Sequence, residues 1–465
     1  MPRELVTVQV GQCGNQLGTR FWELALREHG HYNTKGRYDE ALSSFFRNVD
    51  TRQDPPEELR VKDGTGPIRT LRARAVLVDM EEGVINETLR GPLGDIFDSR
   101  MHLTDISGSG NNWAHGYHVY GPQYCQDLMD RVRATVEDCD SIQGFFLLHS
   151  IGGGTGSGFG TFLLEQLADH YPEVYRFAAS VFPSENDDVV TSPYNSMFSF
   201  NKLTEFADCV LPVENQALQD ICARIDDRKK KSPVKSRSAI DGPSKNAKPY
   251  DKMNGIAANM LLNLTSSVRF AGQLNVDLNE ITTNLVPFPR MHYLVASMAP
   301  LAATKDVGRM AGGRTPAAID KIFAEALAPS SQLLGVNPKH STYLASAFMF
   351  RGPVTISDVE RNVRRLKAQV KMAYWNTEAF KVGICSVPPV GLPYSCLALS
   401  NNCCFGQKLG RMRDRFMKLY RAKAYVNHYE EYGMLPEEFQ EALENLGALK
   451  AAYEAHDRNV PGPPR

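Results

Sequence analysis

The stretch Phe145–Tyr171, FFLLHSIGGGTGSGFGTFLLEQLADHY, decides how the chain is read. Phe145 to Ile151 is a short apolar run suited to a buried strand, and Phe162, Leu163, Leu164 and Leu167 recur at helical spacing beyond the glycines. Between them lies Gly152-Gly153-Gly154-Thr155-Gly156-Ser157-Gly158, in which five of seven residues lack a Cβ. Such a backbone reaches positive φ and approaches a ligand closely, with N–H groups converging at a helix start. The succession of strand, glycine loop and helix predicts a phosphate cradle. A flexible linker would not be bracketed by a buried strand and an amphipathic helix.

Spacing excludes three common glycine motifs. A Walker A loop needs Lys-Ser/Thr after its last glycine, where Phe159 and Gly160 stand. A dinucleotide fingerprint needs glycines at first, third and sixth positions, and no register here supplies all three. An esterase elbow needs a glycine two before the serine, where the chain has Thr155.

The other glycine turns repeat the pattern. Leu5 to Val10 alternates apolar and polar residues, as a strand with one covered face does, and Gly11 and Gly14 turn it into a helix running to about His29. Val76 to Val78 ends in Asp79-Met80-Glu81-Glu82-Gly83. Carboxylates just past a strand's carboxyl end stand where an open α/β sheet holds ligand groups, and hard oxygen donors suit Mg²⁺ held largely through water. Ser107-Gly108-Ser109-Gly110-Asn111-Asn112-Trp113 opens another helical stretch, and Phe177 to Phe182 reads as a strand followed by a loop holding Asp187 and Asp188.

The 465 residues are 42% hydrophobic and 23% charged, enough for two or three globular domains. A net charge of -1 gives no global field that selects nucleic acid or an anionic membrane. No apolar run approaches the ~20 residues that span a bilayer, and Met1 to Val10 lacks a basic region, apolar core and cleavage site, so a cytoplasmic protein is expected. The nine cysteines are scattered without a Cys-x-x-Cys pair, as reduced core thiols would be; Cys13 differs in lying on a glycine loop that faces the ligand.

Gly152 to Gly158 preceded by His149-Ser150, together with Gly11-Gln12-Cys13-Gly14-Asn15-Gln16, resembles the signature loops of tubulins, and the resemblance runs over nearly the whole chain. It implies an α/β, tubulin-like fold: an N-terminal Rossmann-like GTPase domain with a parallel sheet, a long central helix, a second α/β domain and a C-terminal helical hairpin. The corresponding division is a GTP-binding domain over 1–226, a basic disordered insertion over 227–249, the central helix over 250–270, the intermediate domain over 271–402 and the helical domain over 403–465. The implied ligands are GTP or GDP with Mg²⁺. In the resemblance Gly11, Gln12, Cys13, Gln16, Asn111, Ser150, Gly152, Gly153, Gly154, Thr155 and Gly156 line the nucleotide, and Asp79 and Glu81 are the acidic residues of the metal side. Asp187 takes a ribose role, although Val189-Val190-Thr191-Ser192 replaces the family's second sugar-binding acid and adds one residue. Asn215, Tyr250 and Asn254 match the residues that recognise guanine; an asparagine amide offers a donor and an acceptor to a base edge, and a tyrosine ring covers its face.

Asn254 to Arg269 reads as the central helix, with Met260, Leu261, Leu264 and Val268 on one face. The loop beyond it carries Glu280, which stands where α-tubulin has its catalytic glutamate and β-tubulin a lysine. The resemblance therefore implies hydrolysis shared across a subunit contact, with Glu280 acting on a partner's nucleotide. A carboxylate there orients or deprotonates water; a lysine would not. Sheet pieces are expected at Met291–Ser297, Ala345–Phe350, Gly383–Val387 and Ala398, and helices at Arg411–Tyr432, with the Lys423 stem on the apolar face, and Pro436–His456.

Arg228 to Lys248 is rich in Lys, Arg, Ser, Pro and Gly and too polar to order itself, which predicts a disordered loop open to acidic partners. Lys305 to Thr315 falls near the family's lateral-contact loop without following α or β. The basic insertion, the near-zero charge and an end at Arg465 without an acidic tail set the chain apart from bulk microtubule subunits. Ser44–Arg52, Asp79–Gly83, Ile106–Trp113 and Ser386–Gly391 resemble the ε branch of the family. That branch implies a role in the cytoskeleton at centrioles, basal bodies and the centrosome, supporting triplet microtubules with other tubulins, either δ-tubulin or α/β-tubulin, and centriolar proteins as partners, and neither nucleic acid nor membrane. The alternatives are a non-hydrolysing GTP-binding adaptor or cap and a nucleating or lattice subunit.

Overall fold

In a computed structural model the chain is described over residues 3–53, 56–59, 65–184, 187–231, 250–301 and 316–458. It forms two compact units, Met1–Val210 with Arg411–Gly447 and Leu211–Gly410 with Ala448–Arg465.

In the first unit the strands Tyr175–Phe182, Ile142–Ser150, Glu4–Val10, Ala75–Asp79 and His102–Thr104 lie side by side in that order, all paired parallel. Cys209–Glu214, within which the division between units falls, borders the first of them. The registers Gln9↔Leu148 and Val10↔Val78 bring three carboxyl ends level, so the loops after Val10, Asp79 and Ser150 leave from one edge. At the opposite end Arg74 pairs with Glu4 at 2.5 Å, both side chains 2% exposed, and Glu4 also accepts the Ser141 amide at 2.7 Å. Thr7 and Gln9 are as buried as Leu5 and Val8. The alternation along this strand therefore marks no solvent face, because a central parallel strand is covered on both sides.

The helix Gly11–Tyr32 follows the first strand, and Gly160–His170 follows the signature loop through one π-turn, Thr155–Phe159. Tyr194 and Phe198, on the helix Ser192–Phe206, meet Phe416, Tyr429 and Phe439 in an aromatic cluster with ring centroids 5.0 to 6.3 Å apart.

The C-terminal helices differ from the sequence reading. One runs Phe405–Arg421, then breaks; a short helix follows at Val426–Glu430, and the last is Pro436–Arg458. Lys423 and Tyr425 take left-handed φ values of 53° and 61°, and Lys423 is exposed rather than laid on the apolar face. Carbonyls released by the break are taken by side chains of this unit: Tyr194 donates to the Ala424 oxygen and Asn112 to that of His428, both at 2.9 Å.

The second unit holds a five-stranded sheet in the order Gly272–Leu274, Phe380–Cys385, Tyr343–Arg351, Ser395–Asn402, Val295–Ala299, antiparallel except for the pairing of Phe380–Cys385 with Tyr343–Arg351. Ile319, Ile322 and Phe323 of the helix Pro316–Ala326 and Val359, Val363 and Leu366 of Ile356–Lys367 pack on Phe348, Phe350 and Ile384. Residues 291–294 precede the strand expected there, which begins at Val295.

The central helix also differs. It runs Asp251–Leu264, turns at Thr265 and continues as the short helix Ser266–Arg269. Thr265 and Ser266 donate their hydroxyls to the Leu261 and Asn263 carbonyls, each at 2.8 Å, and such back-bonding bends helices. The helix Asn215–Lys231 carries regular backbone into the start of the expected disordered insertion; 232–249, like Lys305–Thr315 and the last seven residues, lie outside the described residues.

Candidate nucleotide-binding site

Three loops of the first unit converge at the carboxyl edge of the parallel sheet. Gly11 has φ +74°, and a Cβ there would stand 2.9 Å from the Gly156 amide nitrogen, so the first loop lies directly on the signature loop. Asn15, fully buried, donates to the carbonyls of Gly11 and Val78, both at 3.0 Å, fastening the first loop to the strand that delivers Asp79. Ser109 and Thr155 share a hydroxyl hydrogen bond of 2.6 Å, which joins the third loop to the signature loop.

Asn195 holds this arrangement from behind. Its amide donates to the Asn111 carbonyl at 2.8 Å and the Gly152 carbonyl at 2.9 Å; its oxygen accepts from the Trp113 amide at 2.9 Å and the Tyr429 hydroxyl at 2.6 Å. The side chain is fully buried and uses all its ordinary hydrogen-bonding positions. Sequence reading left Asn195 unassigned, because four partners from three segments leave no mark in local spacing. Asn15, Asn112 and Tyr429 were missed for the same reason.

The predicted residues take distinct places around this frame. Gln12 and Asn111 are exposed; Cys13, Gln16, Ser150, Gly153, Thr155 and Asp187 are half-buried; Gly11, Gly152, Gly154 and Gly156 are buried. Burial pushes the Cys13 thiol up to about 12, so it is a neutral contact surface and not a nucleophile. Beside Gly153 there is room: the nearest groups to a Cβ placed there are the Ser150 hydroxyl at 3.7 Å and the Asn111 side-chain oxygen at 3.9 Å. Asp187 turns its carboxylate toward Gly152, 3.4 Å from where a Cβ would stand. Ser192 directs a fully buried hydroxyl, without a protein partner, at the same glycine. Thr191, in the segment that replaces the family's second acid, donates to the Asn111 carbonyl at 2.9 Å.

The loop that follows the strand Ala75–Asp79 is acidic and cramped. Burial, reinforced by neighbouring Glu81, pushes the Asp79 carboxyl up to about 7. Gly108 has φ +63°, and a Cβ on it would come 2.5 Å from a Glu81 carboxylate oxygen, so an acidic residue at 108 would displace Glu81. Among the described residues no three His, Cys, Asp or Glu side chains form a metal-holding group. Two oxygen donors and no third fit Mg²⁺ held mainly by phosphate and water.

His149 braces the signature loop from within the sheet. One ring nitrogen bonds the Gly156 carbonyl and the other the Ser180 hydroxyl, both at 2.8 Å. Burial pushes this imidazole from 6.5 down to about 4. The unfolded chain protonates the ring below its ordinary 6.5 while the folded one resists to about 4. Its stabilising contribution is therefore complete above pH 6.5 and lost as the pH falls from 6.5 to 4, on the order of 3 kcal/mol. His149→Gln is expected to flatten urea-unfolding stability over that window relative to wild type; an equal slope in both proteins would refute the assignment.

In the second unit Asn215 begins the helix after Cys209–Glu214 and is half-buried. Its neighbour Glu214 is locked by a buried ion pair with Lys408 at 2.5 Å and by the Gly335 amide at 2.8 Å. Tyr250 is 49% exposed, and its carbonyl accepts the Asn254 amide at 2.8 Å in the first turn of the central helix. Glu280 stands in the first turn of the helix Leu278–Leu285, paired with Lys381.

The Tubulin/FtsZ family GTPase domain matches residues 4–223, and the tubulin C-terminal domain matches residues 289–414. The chain belongs to the tubulin family. It is 52% identical over 472 residues to the tubulin epsilon chain of Homo sapiens, covering 98% of this chain and 97% of that one. The Mus musculus tubulin epsilon chain is 51% identical over 478 residues, with 99% and 98% covered. The tubulin beta-2 chain of Suillus bovinus is 34% identical over 467 residues, with 98% and 96% covered. As a tubulin with this GTPase domain, the protein binds guanine nucleotide, is cytoskeletal and has other tubulins as partners. No helix among the described residues is long and apolar enough to cross a membrane.

Proposed function

We propose that this tubulin is a structural subunit of centrioles and basal bodies that supports triplet microtubules, with Gly11, Gln12, Cys13, Gln16, Asn111, Ser150, Asp187 and the loop from Gly152 to Gly156 around its nucleotide. Asn215, Tyr250 and Asn254 take the guanine base, and Asp79 and Glu81 hold the Mg²⁺ side. The convergence of three loops around Gly156, braced by Asn195, carries this reading. When bound, Mg²⁺ offsets phosphate charge, while the backbone amides of the glycine loops orient the phosphates. Glu280, 45% exposed, is available to act as base or water-orienting group toward the nucleotide of an adjoining tubulin, either δ-tubulin or an α/β-tubulin. The second reading, a GTP-binding adaptor or cap that does not turn over, is favoured by Thr191 standing in place of the second sugar-binding acid.

The test is to purify the chain in Mg²⁺, denature it and identify the released nucleotide by chromatography. About one intact GTP per chain is expected, since charge-assisted bonds to a backbone cradle retain phosphate tightly. GDP would mean turnover without a partner, and an empty chain would overturn the pocket assignment.

A further inference from the structure

We propose that the proline-rich segment 459–465 of this chain docks on an exposed aromatic patch of the second unit, formed by Tyr374 and Trp375 with Phe288 and His456 beside them. Trp375 is 39% exposed and Tyr374 68%. Phe288 meets the Trp375 ring edge-on with centroids 5.6 Å apart and stacks on His456 at 4.7 Å; Trp375 and His456 stand 6.4 Å apart. Elsewhere among the described residues, exposed large apolar side chains such as Ile106, Val190 and Ile356 come singly along the chain, which is ordinary for a surface. Two adjacent exposed rings backed by two more mark a place where something binds.

The backbone that carries the patch is fixed. The Tyr343 amide donates to the Lys371 carbonyl at 2.8 Å and the Tyr343 carbonyl accepts the Ala373 amide at 3.0 Å, so the residues leading into Tyr374 are bonded to the start of the strand Tyr343–Arg351. Asn376 closes the other side, its backbone amide donating to the Ala373 carbonyl and its side chain to that of Leu344, both at 3.0 Å. A platform ordered in advance lowers the cost of docking.

The end of the last helix selects the occupant. Asp457 accepts the Thr342 amide at 2.7 Å, and its carbonyl accepts the Lys371 ammonium at 2.5 Å, which fixes the helix end beside the segment that carries the patch. His456, itself part of the patch, stands three residues before Asn459. The residues that follow the helix are Asn-Val-Pro-Gly-Pro-Pro-Arg, with three prolines in seven and no carboxylate side chain. Proline-rich segments are preformed for aromatic surfaces and lose little freedom on docking. Seven residues in polyproline form reach about 22 Å, several times the 6.4 Å between the rings of His456 and Trp375. Attachment so near the patch gives an effective concentration in the millimolar range, so a contact too weak to hold a free peptide suffices.

The test is iodide quenching of the intrinsic tryptophan fluorescence of the full chain. The other two tryptophans, Trp22 and Trp113, are 0% and 2% exposed, so the quenchable signal reports Trp375. P461S/P463S/P464S should raise the quenching slope at least about twofold, because serines lack the preformed conformation. These substitutions leave every charge in place, and an unchanged melting temperature certifies that the variant folds. In a Trp375→Phe background the difference between the two tails should vanish. Equal quenching of the wild type and the proline variant overturns the proposal, and so does a difference that survives Trp375→Phe. Protection of Trp375 that grows with protein concentration, alike with either tail, would give the patch to a second copy and overturn the choice of the tail.

Discussion

Asn195→Ala is expected to lower the melting temperature by roughly 10 °C and to release the bound nucleotide. The substitution leaves the Gly152 carbonyl and the buried Trp113 amide without their partner, while the Asn111 carbonyl keeps the Thr191 hydroxyl and the Tyr429 hydroxyl keeps the Thr191 carbonyl at 3.4 Å. Each unsatisfied buried group costs about 1–3 kcal/mol, and with partial relaxation the sum is about 4 kcal/mol. Asn195→Asp separates geometry from volume: it keeps the shape but turns a carboxylate oxygen toward two carbonyls. At neutral pH it should be no better than alanine. Tyr429→Phe removes one hydroxyl and should cost about 1 kcal/mol. Differential scanning fluorimetry and nucleotide content read all three, and an Asn195→Ala protein that melts and binds like wild type would refute the bracing role.

The second large effect concerns turnover. Glu280→Ala is expected to leave the nucleotide content of the isolated chain unchanged and to lower GTP hydrolysis with a tubulin partner by about 10²-fold or more, the usual weight of a positioned acid–base group. Lys381 does not stand in the way. With 31% and 45% of the two side chains exposed, that ion pair is worth less than about 1 kcal/mol, so an incoming nucleotide exchanges it readily. Lys381→Ala should therefore change turnover by less than about fivefold. Phosphate release in the mixed assembly is the measurement; a Glu280→Ala protein that hydrolyses at the wild-type rate would leave the adaptor reading in place.

The glycine loops were legible because they combine two periodicities around residues with no side chain, and both the parallel sheet and the three-loop convergence follow from them. What escaped was long-range. Asn15 and Asn195 read as ordinary polar helix residues, and their importance rests on carbonyls delivered by other segments. The breaks at Thr265 and at Lys423 to Tyr425 escaped because apolar spacing continues through them, while the cause is competition for backbone carbonyls by hydroxyls and distant side chains. Gln9 misled in the opposite sense: a polar residue was taken for a solvent face on a strand that has none.

The chain break after Arg421 also bears on the order in which the molecule is made. Asn112 reaches its carbonyl partner across 316 residues, Asn195 reaches Tyr429 across 234, and Tyr194 reaches Ala424 across 230. Contacts of such separation close late, after most of the loop entropy has been lost. A growing chain thus has all of its phosphate loops long before it has the clasp behind them. A chain cut short before Tyr429 would keep the Asn195 brace on Asn111, Gly152 and Trp113 but lack the hydroxyl that the C-terminal segment sets against it.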